Sequence, residues 1–143
     1  MHYHFKVHKE KSGGFWAASL EEGLNVRSQG ETDEELRQNL GKALDLALAE
    51  PEDSKWIPPM PESSFRGRNV IVIPVEPRIA IATLVRLARL QLGLTQRQVA
   101  TRLGFKNVIQ YQRLEKGSAN PELSTLAKLR GIFPNFSVDA AIT

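Results

Sequence analysis

The chain has 143 residues, of which 41% are hydrophobic and 24% are charged, a composition that is ordinary for a globular protein and sufficient for one domain or two small ones. The absence of cysteine excludes disulfides and thiolate metal sites, and no apolar run approaches the roughly 20 residues that span a bilayer. The N-terminus lacks the apolar region of a secretory signal, so we expect a soluble, cytoplasmic protein without a membrane partner.

The net charge of +3 is distributed unevenly along the chain. Residues 1–68 contain nine Lys/Arg and twelve Asp/Glu, a balance of −3, whereas residues 69–143 contain ten Lys/Arg and four Asp/Glu, a balance of +6. An acidic half beside a basic half predicts two functions with differently charged partners. The alternative is an accidental scatter of surface charge.

The first 74 residues predict a small α+β domain with the element order β-β-β-α-β. Strict alternation over residues 2–8 predicts a strand whose aromatic side chains face the core and whose three histidines are exposed. A Ser-Gly-Gly turn leads to a second strand over residues 15–20, and a third is expected over residues 24–29. The first and third histidines would lie about 20 Å apart at 3.3 Å per residue, too far for one ion, so we predict no metal site.

A helix and a fourth strand complete this predicted domain. A capping box at Thr32 starts a helix with leucine at every fourth position, and Pro51 is expected to end it. Residues 51–68 are rich in proline and predict a loop or linker, and the β-branched run at residues 69–73 predicts a strand buried on both faces. No phosphate-binding loop and no hydrolase or zinc-protease motif occurs, so we predict no catalytic residue and no cofactor.

Residues 75–143 predict an all-α helix-turn-helix domain. A first helix follows Pro77, a capping box at Thr95 starts the second, the third begins near Asn107, and Asn120-Pro121 starts the fourth. The apolar positions of the fourth helix that are available for the core are Leu123, Leu126, Ala127, Leu129 and Ile132.

The outer face of the third helix is the predicted DNA-binding surface. With Tyr111 directed to the core, a rotation of 100° per residue turns the neighbouring polar side chains outward, although a merely solvated face is the alternative. Arginine can bind guanine, glutamine can bind adenine and isoleucine can meet a thymine methyl, whereas lysine suits phosphate. Glu115 is expected to pair with an arginine such as Arg97 or Arg102. The candidate DNA contacts are Gln96, Lys106, Asn107, Ile109, Gln110, Gln112 and Arg113.

The segment LTQRQVATRLG…YQRLEKG, followed by NPELSTLAKL, resembles the phage-repressor-like Cro/C1 (XRE) DNA-binding family over about residues 78–133. The resemblance implies that Gln96 contacts DNA phosphate and that the third helix reads the major groove. The stretch from Gly104 to Leu114 is one residue longer than is usual there, which leaves two registers for the start of that helix. A single module buries little DNA surface, so we expect a homodimer or homotetramer, joined through the closing FSVDAAI or through helix 79–92.

The order of motifs along nearly the whole chain resembles the HicB family of type II antitoxins. The matching segments are Gly13-Gly14-Phe15-Trp16-Ala17, Gln29-Gly30-Glu31-Thr32, and Tyr111-Gln112-Arg113-Leu114-Glu115 with Asn120-Pro121. The resemblance implies an N-terminal domain with a partial RNase H-like fold that lacks nuclease activity and masks a HicA-like toxin, a small basic mRNA-cleaving ribonuclease. It also implies that the C-terminal domain represses the toxin–antitoxin operon. Glu21-Glu22-Gly23 stands where the family typically has a proline.

We therefore expect a non-enzymatic antitoxin that represses its own operon. The alternative is a stand-alone helix-turn-helix regulator whose N-terminal domain senses a ligand or dimerises. A nuclease is disfavoured because it needs convergent carboxylates on strands, whereas Glu10, Glu21 and Glu22 fall at strand ends or in loops.

Overall fold

The computed structural model describes residues 1–49 and 55–143, which divide into two compact units. The first unit comprises Met1–Leu48 and Pro58–Glu76. The second comprises Pro77–Thr143 together with the described ends of the segment Ala49–Ile57. None of the described helices is long and apolar enough to cross a membrane.

The first unit is a four-stranded antiparallel sheet with one helix against it. In chain order its elements are β1 (His2–Lys9), β2 (Phe15–Ser19), β3 (Arg27–Gly30), α1 (Asp33–Leu48) and β4 (Val70–Pro74). The strands lie in the spatial order β3-β2-β1-β4, so β1 has a neighbour on both sides. Phe5 of β1 is opposite Ser19 of β2 on one side and Ile71 of β4 on the other. The unit has the α+β class that the sequence predicts.

Helix α1 buries a stripe of leucines against the sheet. Leu36, Leu40 and Leu44 are fully buried, as the four-residue spacing predicts, and each such side chain contributes about 1.5–3 kcal/mol to folding. Thr32 caps the helix, because its Oγ1 accepts from the backbone N of Glu35 at 3.1 Å. The turn from β3 into α1 is tight: a Cβ added at Gly30 would lie 2.4 Å from the backbone N of Leu36, so only glycine fits there.

The prediction that the fourth strand is buried on both faces is wrong. Strand β4 is at an edge of the sheet, with β1 on one side only, and Val72 is 47% exposed whereas Ile73 is 2% exposed. A continuous β-branched run indicates a fully buried strand only when elements cover both faces of the sheet. The third strand is also shorter than predicted, since Leu24 lies in a loop and only residues from Arg27 onward pair as β3.

The prediction that the strand histidines are exposed is wrong for His4. This residue is 6% exposed, and its Nδ1 lies 2.7 Å from Oε1 of Glu21, whose side chain is fully buried. The backbone N–H of His4 donates to both oxygens of the same carboxylate at 3.1 and 3.2 Å, and the ring of Phe65 lies 5.6 Å away between centroids. The chain after β2 therefore folds back over this face of β1. Within residues 1–49 and 55–143, no group of three or more potential metal ligands is found.

Segment 51–68 is a loop wherever it is described, since residues 55–68 contain neither helix nor strand. The Oη of Tyr3 donates to the carbonyl of Pro59 at 2.9 Å, which fastens this loop to the first strand. The predicted helix stop at Pro51 lies outside the described residues, and α1 ends at Leu48.

The second unit is all-α. It contains α2 (Pro77–Gln91), α3 (Gln96–Arg102), α4 (Val108–Glu115), α5 (Leu123–Ile132) and α6 (Val138–Ile142). Helix α4 packs against both α2 and α3, and α6 packs against α2. The closing segment therefore contributes a fifth helix to this unit, with Phe136 and Ala141 buried.

Two predictions about the α5 region are wrong. The helix begins at Leu123 with Glu122 as its N-cap and no side-chain capping bond, so Asn120-Pro121 does not cap it. Leu129 is fully buried, but Leu123 is 84% exposed and Ala127 is also exposed. At 100° per residue, Leu123 and Ala127 lie about 120° and 160° from Leu129 around the helix axis, beyond the reach of the core.

Candidate nucleic-acid interface

Helices α3 and α4 and the turn between them form the candidate interface. Thr95 and Gln98 make the predicted capping box at the start of α3: each backbone N–H donates to the side chain of the other residue, at 2.8 and 3.1 Å. Gly104 ends this segment at φ 78°, a left-handed conformation that favours glycine. Asn107 caps α4, because its Oδ1 accepts from the backbone N of Gln110 at 3.3 Å.

Helix α4 has one buried and one exposed side, in the orientation that the sequence predicts. Tyr111 is fully buried and Leu114 is 3% exposed, which fixes the rotation of the helix about its axis. Ile109 is 54% exposed although it is a large apolar residue. The predicted DNA contacts that are exposed around this face are Lys106, Asn107, Ile109, Gln110 and Arg113.

The buried side of α4 is attached to α2 through Glu115. The Nε of Arg89 lies 2.5 Å from Oε1 of Glu115 and its Nη2 lies 3.2 Å from Oε2, with both side chains buried. Arg89 also donates from Nη1 to the carbonyl of Leu94 at 2.9 Å. The prediction that Glu115 pairs with Arg97 or Arg102 is therefore wrong, and both of those arginines are exposed.

Burial and Glu115 together determine how the groups around this carboxylate titrate. Burial by itself would lower the pKa of Arg89, but the hydrogen bonds and the negative charge of Glu115 outweigh it and raise the pKa. The Oη of Tyr111 donates to Oε1 of Glu115 at 2.5 Å. Burial, and then the charge of Glu115, raise the pKa of Tyr111 well above its usual value, so the phenol stays neutral and keeps donating.

Gln96 and Gln112, two predicted DNA contacts, are half-buried and linked to the same carboxylate. The Nε2 of Gln96 donates to Oε2 of Glu115 at 2.9 Å, and the Oε1 of Gln96 accepts from Nε2 of Gln112 at 3.2 Å. These bonds determine the orientation of both amides: Nε2 of Gln96 faces Glu115, and Nε2 of Gln112 faces Oε1 of Gln96. Because an amide NH₂ group has two donors, the bond to Glu115 leaves Gln96 with one more hydrogen atom for an outside acceptor.

Arg89 is the residue of this site that the sequence analysis did not identify. It stands at the last turn of a helix whose other buried positions are mostly apolar, and a charged side chain on such a face is rarely buried without a partner. A charged residue on the apolar face of its helix was therefore the feature of the sequence that indicated a buried partner for Arg89. The pairing itself joins residues 26 positions apart and depends on how α2 and α4 pack.

The exposed side chains of this unit remain basic, because the pair of Glu115 with Arg89 removes one charge of each sign from the surface. The half of the chain that begins at residue 69 has four acidic residues, and the carboxylate of Glu115 faces Arg89 in the interior. Arg97 and Arg102 on α3 and Lys106 and Arg113 around α4 are all exposed. A cluster of cations with so few opposing carboxylates suits a polyanion.

Comparison with known proteins agrees with this geometry. Residues 85–134 match the family model Helix-turn-helix, which covers α3, α4 and α5. Over 52 residues the chain is 42% identical to an "Uncharacterized HTH-type transcriptional regulator" of Haemophilus influenzae. That alignment covers 36% of this chain and 52% of the relative, so the chain spans about half the length of the curated relative that it matches. The second unit thus contains a helix-turn-helix domain, which supports binding to double-stranded DNA.

Proposed function

We propose that this protein is a regulator of transcription that binds double-stranded DNA in a sequence-dependent manner. The observation that carries the proposal is the two-sided character of α4: its buried side is fixed by Tyr111 and Glu115, and its exposed side presents Gln110 and Arg113. A helix held in one rotation can offer the same donors to every base pair that it meets. The name of the Haemophilus influenzae relative supports a role in transcription.

The chemistry of each side chain suggests a division of labour on the DNA. Arg113 and Gln110 can bind guanine and adenine edges in the major groove, and Ile109 can contact a thymine methyl. Lys106 and the remaining amide hydrogen of Gln96 suit phosphates, which position the protein without reading sequence. Asn107 and Gln112 are further proposed DNA contacts. The Oδ1 of Asn107 accepts the hydrogen bond that caps α4, so only its NH₂ group is available to donate to DNA.

Selection from a random pool of duplex DNA with the full chain tests this proposal. We expect enrichment of one short motif, present as two inverted copies whose centres are about 10–10.5 base pairs apart. Binding that is equally strong for every duplex, at every salt concentration, would contradict sequence-dependent recognition by α4.

A second candidate function is neutralisation of a HicA-like toxin by the N-terminal unit. The observation in its favour is a polar groove of about 380 Å³ beside the turn from β3 into α1, lined in part by Glu10, Glu31 and Glu35. A surface of this kind suits a cationic protein such as a small basic ribonuclease. The β-β-β-α-β order and the resemblance to the HicB family support the same candidate, in which the N-terminal unit has a partial RNase H-like fold without nuclease activity.

The two candidates differ in what the N-terminal unit does. If the chain is an antitoxin, co-expression with the product of the adjacent reading frame should yield a stable complex and suppress its RNA cleavage. If the chain is a stand-alone regulator, no small basic ribonuclease will bind it, and the N-terminal unit senses a ligand or dimerises. In either case we propose a non-enzymatic cytoplasmic protein, and RNA cleavage by the purified chain with Mg²⁺ or Mn²⁺ would contradict this.

A further inference from the structure

The sheet of the first unit has an exposed end on the face that turns away from α1. Phe5 and Ala17 are buried on the side that α1 covers. Because successive side chains of a strand point to opposite faces, Lys6 and His8 of β1 and Trp16 of β2 lie on the other face. Lys6 and His8 are exposed, and Trp16 is half-buried. This end of the sheet therefore presents aromatic and cationic groups to solvent.

Three planar side chains from three neighbouring strands are in contact on this surface. His8 and Trp16 lie opposite each other in β1 and β2, and their rings are stacked, with centroids 4.1 Å apart and planes inclined by 17°. Arg27 comes from β3, on the other side of β2, and its Cζ lies 4.1 Å from the centroid of the Trp16 ring. The indole thus has a planar neighbour from each adjacent strand, and both of these neighbours are exposed.

The charge of this surface is positive, although residues 1–68 are acidic overall. Within the described residues, the four strands of the first unit contain no acidic residue. Lys6 and Arg27 are both paired with Ala18, one from each side, so a small side chain separates two exposed cations. Neither cation forms an ion pair with a described residue. Their backbones are two strand spacings apart, about 10 Å, so an anionic chain above Ala18 is within reach of both side chains.

We propose that this face of the sheet binds single-stranded nucleic acid. A base stacks on the outer side of the Arg27 guanidinium, the sugar–phosphate backbone crosses the sheet above Ala18, and a phosphate pairs with Lys6. Proteins bind single strands in this way, with planar side chains for the unstacked bases and cations for the backbone. Contact with Trp16 already restricts the side chains of Arg27 and His8, so less side-chain entropy is lost on binding. The site goes beyond the proposed recognition of duplex DNA by α4 and does not depend on it.

Duplex DNA and acidic proteins fit this surface less well than a single strand does. The bases of a duplex are stacked on one another, so their faces are not available to a sheet. A carboxylate-rich protein segment would pair with Lys6 and Arg27 but would leave the planar surfaces of the stacked groups unused. Because every base has a planar face, we expect little preference for sequence.

Fluorescence anisotropy of labelled oligouridylate and oligothymidylate with the full chain tests the proposal. Binding of either probe at low salt is expected, and the ratio of the two affinities distinguishes RNA from DNA. Arg27→Lys should weaken binding about fivefold or more, since lysine keeps the charge but lacks the planar group. The slope of log K against log salt should stay the same in this variant. Lys6→Gln should weaken binding and reduce that slope by about 0.7, the effect of losing one phosphate contact.

Lys42→Gln is the matched control, because Lys42 is an exposed cation on α1 of the same unit. Equal losses for Lys42→Gln and Lys6→Gln would show a general effect of charge and would overturn the proposal. Unchanged affinity of Arg27→Lys would overturn it as well, because stacking would then contribute nothing. Circular dichroism of each variant should match that of the parent, so that loss of binding is not loss of fold.

Two competitors identify the occupant and the place where it binds. Unlabelled oligouridylate should displace the labelled probe, whereas oligoglutamate and duplex DNA at equal charge concentration should not. Displacement by oligoglutamate as effective as that by oligouridylate would mean that the surface binds acidic protein segments instead. Complete displacement by the duplex would assign the single strand to the surface of α4. This last result would overturn the present inference and leave the proposed recognition of duplex DNA intact.

Discussion

The carboxylate of Glu115 and the guanidinium of Arg89 form a two-point ion pair, with Nε–Oε1 at 2.5 Å and Nη2–Oε2 at 3.2 Å, that joins α4 to α2. The pair is closed to solvent, since the two side chains are 8% and 4% exposed. Tyr111 and Gln96 donate to the same carboxylate, so four donated hydrogen bonds converge on one acid. These donors compensate the buried charge of Glu115. Because they also hold the buried side of α4 in place, the exposed side of the helix has a fixed orientation.

Removing the charge of Glu115 should destabilise the second unit. Glu115→Gln leaves the guanidinium of Arg89 buried without a counter-charge, and breaking a buried pair in this way costs about 3–5 kcal/mol. Hydrogen exchange of the α2 and α4 amides in urea would report the loss for this unit alone. Arg102→Met is the matched control, because Arg102 is exposed and should change stability by less than about 0.5 kcal/mol. A larger effect at Arg102 than at Glu115 would contradict the observed pairing.

Tyr111→Phe should cost about 1.5–3 kcal/mol at neutral pH, since it removes a hydrogen bond to a charged group in the interior. The cost should shrink at alkaline pH. Burial and Glu115 raise the pKa of Tyr111, so above pH 10 the phenol ionises only in the unfolded chain. The unfolded state then binds fewer protons than the native state, and wild-type stability falls by up to about 1.4 kcal/mol per pH unit through this group. Phenylalanine does not ionise, so the stability of the variant does not fall with pH through this position.

Urea unfolding followed by circular dichroism at pH 8, 10 and 11 would test the pH dependence of the Tyr111→Phe effect. Tyr3 has a raised pKa as well, but it is present in both proteins and cancels in the difference between them. A difference in stability that stays constant from pH 8 to pH 11 would be incompatible with a raised pKa for Tyr111.

Gly117→Ala should destabilise the second unit more than Gly93→Ala, although both glycines have φ near +70°. A Cβ at Gly117 would lie 2.6 Å from Cδ1 of Ile79 and 3.3 Å from the carbonyl O of Arg78, whereas a Cβ at Gly93 meets nothing within 4 Å. Gly93→Ala therefore carries only the left-handed backbone cost of about 1–2 kcal/mol. Gly117→Ala carries that cost and a steric clash at the start of α2. Equal shifts in thermal midpoint would show that the clash is relieved without cost.

The sequence predicted features that depend on one element and missed those that depend on two. The leucine stripe of α1 and the capping box at Thr95 each depend on residues that are close together in the sequence, and the structure contains both. The pairs Arg89–Glu115 and His4–Glu21 join residues 26 and 17 positions apart, and only the packing of the elements selects the partners. The start of α5, two residues beyond Pro121, is a boundary that proline chemistry places too early.

For the candidate DNA-binding surface, the sequence predicted the exposed face of α4 from the inward position of Tyr111 alone. It could not predict that Gln96 and Gln112 bind each other, because that bond depends on how closely α3 and α4 pack. The residues that depend only on helical rotation, such as Gln110 and Arg113, lie on the exposed side as expected. Those at the contact between the two helices are half-buried instead.

Arg113→Ala and Lys106→Ala should weaken DNA binding in different ways, although both remove one exposed cation. Arg113 is proposed to bind a guanine edge, so its loss should reduce discrimination at one base pair by about 1–3 kcal/mol and leave other positions unaffected. Lys106 is proposed to bind phosphate, so its removal should weaken binding to all sequences alike. It should also lower the slope of log K against log salt by about 0.9 for each phosphate that the lysine no longer neutralises. Anisotropy titrations on the selected duplex and its single-base variants, at three salt concentrations, separate the two effects. A uniform decrease for Arg113→Ala would assign it to the DNA backbone instead, and the base-reading role of α4 would then have to rest on Gln110 and Ile109.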